Sequence, residues 1–269
     1  MLDLFGEIDV GGIKYNRSNF VDVLEYEVEK GYLEKGVEES DRKAIVNEIA
    51  QKLRENLKFK VLLNLISFSD LIKENIREKN IVVYMTNEKL QEKFSEYGLT
   101  GELKAAYSDY LMVVDANLGS LKTDPAVQRI IKYAVDETGG KLIAQLNIEY
   151  THTGSLDWKT SHYRTYTRIY APTGSKLINY QGAMADDTKA PGLVDISEDL
   201  GKTVFGVFLS INPGERKILS LTYELPADVA DKDYSLILQK QPGNDFTNYE
   251  IRARDKTWQG PLVEDKLFQ

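Results

Sequence analysis

The spacing of apolar residues changes along this chain, from a helical period in the first hundred residues to a two-residue alternation afterwards. In the first part, Phe20, Val21, Leu24 and Val28 share one helix face, with Ser18 as the expected N-cap and Gly31 or Gly36 as the stop. Ser40 is placed to cap a second helix whose stripe is Ala44, Ile45, Ile49 and Leu53. A third pattern runs from Phe59 to Lys79 through Leu62, Leu63, Ile66, Leu71, Ile72 and Ile76, with a break expected at Ser67 to Asp70. Ile81-Val-Val-Tyr84 reads as a short buried strand. Leu90, Phe94 and Tyr97 then mark a helix capped by Asn87 or Thr86 and closed by Gly98. A small hairpin precedes all of these: Glu7 to Val10, then Gly11-Gly12, then Ile13 to Tyr15, because a Gly-Gly pair supplies the positive φ angles of a two-residue turn. Helices interleaved with short strands predict a layered α/β unit.

The period switches between Asp109 and Ile178. Leu111 to Val114 is the last strand expected of the α/β unit, and beyond Asp124-Pro125 the pattern is β to the end. Val127 to Val135 and Leu142 to Tyr150 flank Thr138-Gly-Gly-Lys141, a hairpin signal. Leu142, Ala144, Leu146, Ile148 and Tyr150 point one way and their neighbours the other, as in a strand with one solvated face. Tyr163 to Ala171, Thr203 to Ser210, Lys217 to Leu225, Ser235 to Gln239 and Asn248 to Arg254 supply further strands. Asn179 to Ser197 reads as a long loop. The expected architecture is therefore α+β in two domains: a mixed helical α/β unit over 1–122 and an antiparallel, Ig-like β-sandwich over 123–269.

Composition narrows the function. Of 269 residues, 42% are hydrophobic and 28% charged, enough for a sizeable core, and the net charge of −8 argues against nucleic acid as a partner. Cysteine is absent, which excludes thiol catalysis, thiolate metal sites and disulfides. No apolar run reaches the roughly 18–20 residues of a membrane span. No nucleophile elbow, phosphate loop or dinucleotide fingerprint stands out, and no cofactor is expected. His152, His162 and Asp157 are a candidate metal set, against the blander reading of hydrogen-bonded strand ends. Asp115, Asn117 and Asp124 have the spacing of calcium ligands but lack the bidentate Glu, and Asx turns account for Asp115 and Asn117 equally well.

Alternation offers one candidate contact surface. If Thr165, Thr167, Ile169 and Ala171 face the core, then His162, Arg164, Tyr166, Arg168 and Tyr170 share the other face, with Trp158 in the loop before them. Tyrosines interleaved with arginines suit stacking on sugar rings and charge-assisted bonds to acidic polymers. The same pairs also serve simply as cross-strand partners.

Several of these segments carry a family resemblance. Asp109-Tyr-Leu-Met-Val-Val-Asp115-Ala-Asn117-Leu-Gly119, Lys122-Thr-Asp124, Arg129-Ile-Ile-Lys-Tyr133, Tyr150-Thr-His152-Thr-Gly154 and Tyr163 to Ile178 resemble the C-terminal part of domain-of-unknown-function family 4012. That family comprises bacterial envelope proteins, usually with an N-terminal membrane anchor. The opening Leu2 to Val10 looks like an internal segment of it. The resemblance implies an extracytoplasmic surface module, with its anchor upstream and a wall glycan or another envelope protein as partner. More distantly, Phe20 to Leu57 is similar to the LytR-CpsA-Psr phosphotransferases, with Asp41-Arg42 matching part of their helix motif. The next Arg-Gln pair of that motif is replaced by Ile45 and Val46. The expected function is a non-catalytic envelope module for wall contact, adhesion or assembly. The alternatives are a truncated part of such a transferase and a carbohydrate-binding module.

Overall fold

A computed structural model of the chain describes residues 2, 6–63, 65–105, 108–119, 121–230, 234–245 and 247–269, with backbone alone at 57–63 and 230. Part of the opening segment (residues 3–5), Asn64 and the side chains of Leu62 and Leu63 thus lie outside the described residues. The chain divides into two compact units, Met1–Asn75 and Ile76–Gln269.

In the first unit, β1 (Ile8–Val10) pairs antiparallel with β2 (Ile13–Tyr15). Gly11 and Gly12 turn between them at φ 61° and 80°, the left-handed angles such a turn needs. Helices α1 (Phe20–Tyr26) and α2 (Ala44–Leu63) follow. Ile45, Ile49 and Leu53 recur at helical spacing on α2 and pack with Ile8, Val10 and Tyr15 of the hairpin. Ser18 does not cap α1. Its hydroxyl and backbone N–H both donate to Asn16 Oδ1, so a local turn holds it, and Asn19 takes the N-cap position. Val21 leaves the expected face and is exposed. Ser40 sits in a 3₁₀ turn, Glu39–Asp41, ahead of α2. Helix α3 (Leu65–Arg77) runs unbroken through Ser67 to Asp70.

The second unit continues with α4 (Glu88–Glu96), whose N-cap Asn87 accepts from Leu90 N–H at 3.2 Å. Ile81 to Tyr84 forms no strand. Val82 and Tyr84 are exposed, and Val83 N–H bonds to Leu99 O, so this apolar run borders a helix instead of entering a sheet.

Two six-stranded sheets then stack. Their strands are β3 (Asp109–Asn117), β4 (Val127–Thr138), β5 (Lys141–His152), β6 (Tyr163–Pro172), β7 (Lys176–Gln181), β8 (Asp195–Asp199), β9 (Lys202–Ile211), β10 (Arg216–Glu224), β11 (Leu236–Leu238), β12 (Thr247–Ala253), β13 (Lys256–Pro261) and β14 (Lys266–Phe268). A short helix, α5 (Ala227–Ala230), lies between β10 and β11. The first sheet runs β13-β12-β4-β5-β10-β7 and the second β14-β11-β3-β6-β9-β8. The chain is thus α+β, with sheets that are antiparallel except where β12 joins β4 and β11 joins β3 in parallel.

Three expectations change here. Strand β3 belongs to the second sheet, so the β layers begin at Asp109. Tyr110 and Met112 are buried on one side of β3, Leu111 and Val113 on the other, and burial on both faces erases the alternation that marks a sheet with one wet face. The segment Asn179 to Ser197 is not one loop: it contains the end of β7 and the start of β8, edge strands whose largely exposed side chains carry no apolar pattern. The purely antiparallel arrangement gives way to a mixed one at the two parallel pairings. The expected inward set Leu142, Ala144, Leu146, Ile148 and Tyr150 is fully buried between the sheets.

Candidate functional site

Strand β6 lies between β3 and β9, so its alternate residues are sorted cleanly. Thr165, Thr167, Ile169 and Ala171 are buried between the sheets, and Arg164 and Arg168 are exposed on the outer face. Tyr166 is half-buried. Its hydroxyl donates to Asp195 of β8 at 2.6 Å, and its ring covers Gly206, where any Cβ would sit 2.1 Å from the tyrosine oxygen. Arg168 stacks on that ring, its guanidinium carbon 5.5 Å from the centroid. Arg164 forks onto Asp187 through Nε at 2.9 Å and Nη2 at 2.6 Å, and this bond holds the Asp187 carboxyl below its usual range.

Two of the predicted strip residues do not continue the surface, and one stands before it. Tyr170 is buried with Tyr110, Met112 and Val204, with Leu103 packed over them. His162 directs Nδ1 at Asn212 Oδ1, 2.7 Å away. Trp158 stands in the preceding loop, which is organised by Asp157. The Asp157 carboxylate accepts from the N–H groups of Thr160 and Lys159 and from the Ser155 hydroxyl, and these bonds pull it down to about 2. The structure therefore groups Arg164, Tyr166 and Arg168.

The candidate metal sets are engaged otherwise. Gly154 N–H donates to His152 Nδ1 at 3.1 Å, so the proton sits on Nε2, which donates to Ser161 O at 2.7 Å. Both nitrogens of this buried ring are used. No group of three acidic or histidine side chains suited to a metal occurs among the described residues. Where calcium spacing was noted, a guanidinium occupies the centre. Arg129 Nε lies 3.3 Å from Asp115 Oδ2, and Nη2 lies 3.1 Å from Asp124 Oδ1 and donates to the Tyr163 hydroxyl. Asn117 Nδ2 donates to Asp124 Oδ2 at 2.7 Å. Asp115 also accepts from Tyr150, Thr165 and Thr167. Arg129 was passed over in the sequence; the signal that marks it is a charge at an inward position between Val127 and Ile131 on an alternating strand, which demands a buried partner.

A second buried carboxylate, Asp109, lies at the other end of β3. It accepts from the hydroxyls of Tyr133 (2.7 Å) and Tyr234 (2.5 Å) and from Tyr110 N–H. Burial raises its pKa to about 6 despite those bonds.

The outer face of the first sheet forms an open depression of about 560 Å³, lined in part by Lys132, Gln145, Asn147, Glu250, Arg252 and Gln259. Cross-strand pairing sets these residues in rows: Gln259–Glu250–Lys132–Asn147–Ser220, and Thr257–Arg252–Ala134–Gln145–Thr222. Lys132 Nζ is 3.4 Å from Glu149 and 3.5 Å from Glu250, Arg252 forks onto Asp136, and the Ser220 hydroxyl donates to Asn147 Oδ1 at 2.6 Å. This face was missed in the sequence because its residues are ordinary solvent-side polar positions until pairing aligns them. Compared with protein-family models and with curated proteins, the chain has no match.

Proposed function

We propose that this chain is a non-catalytic, extracytoplasmic module of a bacterial cell envelope, and that its Ig-like sandwich makes contact with wall glycan. The observation that carries the reading is the paired polar surface on the first sheet. Side-chain amides each offer two donors and an acceptor in one plane, a match for adjacent sugar hydroxyls. Gln145 and Asn147 on β5, and Gln259 on β13 with β12 and β4 between, set three such groups on one open face, among charges that neutralise one another. The Arg164–Tyr166–Arg168 face of the second sheet is a smaller candidate, with much of its bonding capacity spent on Asp187 and Asp195. The inward carboxylates of the sandwich are held by inward partners, Asp115 by the Arg129 guanidinium and Asp109 by tyrosine hydroxyls, as a structural role requires. For the transferase alternative, Arg42 is paired with Glu29 at 2.8 Å, and Ile45 of the helix motif packs on the hairpin.

Co-sedimentation with purified wall polysaccharide tests the reading. Saturable binding is expected, weakened about tenfold by Asn147→Ala combined with Gln259→Ala through the lost hydrogen bonds, and little changed by Arg168→Ala. A wild-type chain that stays in the supernatant at every glycan concentration overturns it.

A further inference from the structure

Four loops of the second unit bring two lysine side chains and a backbone N–H onto one carboxylate. Lys79 follows α3, Lys104 lies between α4 and β3, Lys240 follows β11, and Asp265 precedes β14. Lys79 Nζ is 2.7 Å from Asp265 Oδ1, and Lys104 Nζ is 2.8 Å from Oδ2. The backbone N–H of Lys240 donates to Oδ1 at 2.9 Å. The Lys79 and Asp265 side chains are 10% and 9% exposed. Lys79 is also fixed through its backbone: it takes φ 56°, unusual for a residue with a side chain, and its carbonyl accepts from Gly243 N–H at 3.1 Å. The amine and the carboxyl carbon therefore have little freedom to move apart.

The geometry points to an isopeptide bond between Lys79 Nζ and Asp265 Cγ. The reaction needs no outside reagent. The ammonium passes one proton to Oδ1 across their hydrogen bond, and the freed nitrogen lone pair attacks Cγ. Charge then develops on Oδ2, where the Lys104 ammonium already sits as the stabilising donor. A second proton from the nitrogen goes to Oδ1, which leaves as water. One N–C bond forms, one C–O bond breaks, the two opposite charges cancel, and the product is an amide and a water molecule. Condensation is disfavoured between free groups in water, but fixed neighbours react with effective molarities of about 10⁵–10⁸ M. Removing an ion pair from a buried site also ends its desolvation penalty.

The electrostatics bear on each step. Burial pushes the Lys79 ammonium below its usual range, which favours release of the first proton. Burial pushes Asp265 up, but the bonds from Lys104 and Lys79 bring it below the usual range, so the pair starts as ions and the proton crosses within the hydrogen bond. Lys240 Nζ is held by Glu78 O and Asp245, and it contributes its backbone N–H to the site. Lys104 contacts the reacting carboxylate directly, at Oδ2.

The inference does not depend on glycan binding, and its readout is independent of it. Intact mass under denaturing conditions is expected to be one water below that of the full sequence. A protease digest is expected to show one branched peptide joining the segments around Lys79 and Asp265. Lys79→Arg keeps the charge pair and the fold but cannot form the amide at that site, and is expected to show the full mass. A wild-type chain at full mass overturns the proposal. So does a lost water that maps elsewhere, or one that persists in Lys79→Arg.

Discussion

Strand β3 places an aspartate in the sandwich interior at each of its ends, and the two are held by opposite means. Asp109 meets only neutral donors, two tyrosine hydroxyls and a backbone N–H. Asp115 meets the Arg129 guanidinium along with hydroxyls from Tyr150, Thr165 and Thr167. Leu111 and Val113 lie between them, so one strand carries both solutions on a single face. The difference shows what each partner can do for a buried charge. Hydroxyls soften the cost of desolvation without removing it, which is why Asp109 titrates near 6. A guanidinium closes the charge balance but creates a mutual dependence: neither member is tolerable alone.

The most severe way to break this comparison is at the arginine end. Arg129→Met leaves Asp115 buried without its countercharge and is expected to cost about 3–5 kcal/mol in denaturant unfolding. Adding Asp115→Leu should recover part of that loss, because an apolar pair replaces an orphaned ion. A double variant no better than the single would show that the two residues are not the coupled unit described here.

The tyrosine end is sharpened by pH. The folded-state pKa of Asp109, about 6, lies above its ordinary value of 3.8, so the native chain holds this proton more tightly than the unfolded chain. Its contribution to stability is full below the unfolded pKa and is lost as pH rises through about 6. Between pH 7 and pH 5 the wild type should therefore gain about 1 kcal/mol relative to Asp109→Asn. Parallel pH profiles for the two proteins would place the carboxylate outside this environment. The smallest effect belongs to the surface: Arg164→Ala removes an exposed pair with Asp187 and should change stability by less than about 1 kcal/mol.

What could be read from the chain follows the same division between faces and partners. Strand β5 was legible because one of its faces is wet, and Asn87 and Gly98 were legible because caps have a fixed chemistry. Strand β3 was not assigned to the sandwich because burial on both sides leaves no alternation to follow. Tyr170 was expected on the surface, since alternation tells which face a residue occupies and not what covers that face; Leu103, from the segment before β3, packs there. The rows on the first sheet depend on register between strands far apart in sequence, such as Lys132 with Glu250, and no local pattern records such a pairing.

The two parallel pairings also bear on how the chain is made. Strand β3 waits for β11 and β4 waits for β12, so Asp109 finds its neighbour Leu236, and Arg129 finds Thr247, only after most of the polypeptide has left the ribosome. Strands that pair over such separations fold slowly. Until then β3 and β4 present bare edges, the feature that recruits other chains into aggregates. A nascent chain of this design is therefore most in need of a chaperone late in its synthesis, when the strands up to β10 exist and the four that complete the sheets, β11 to β14, do not.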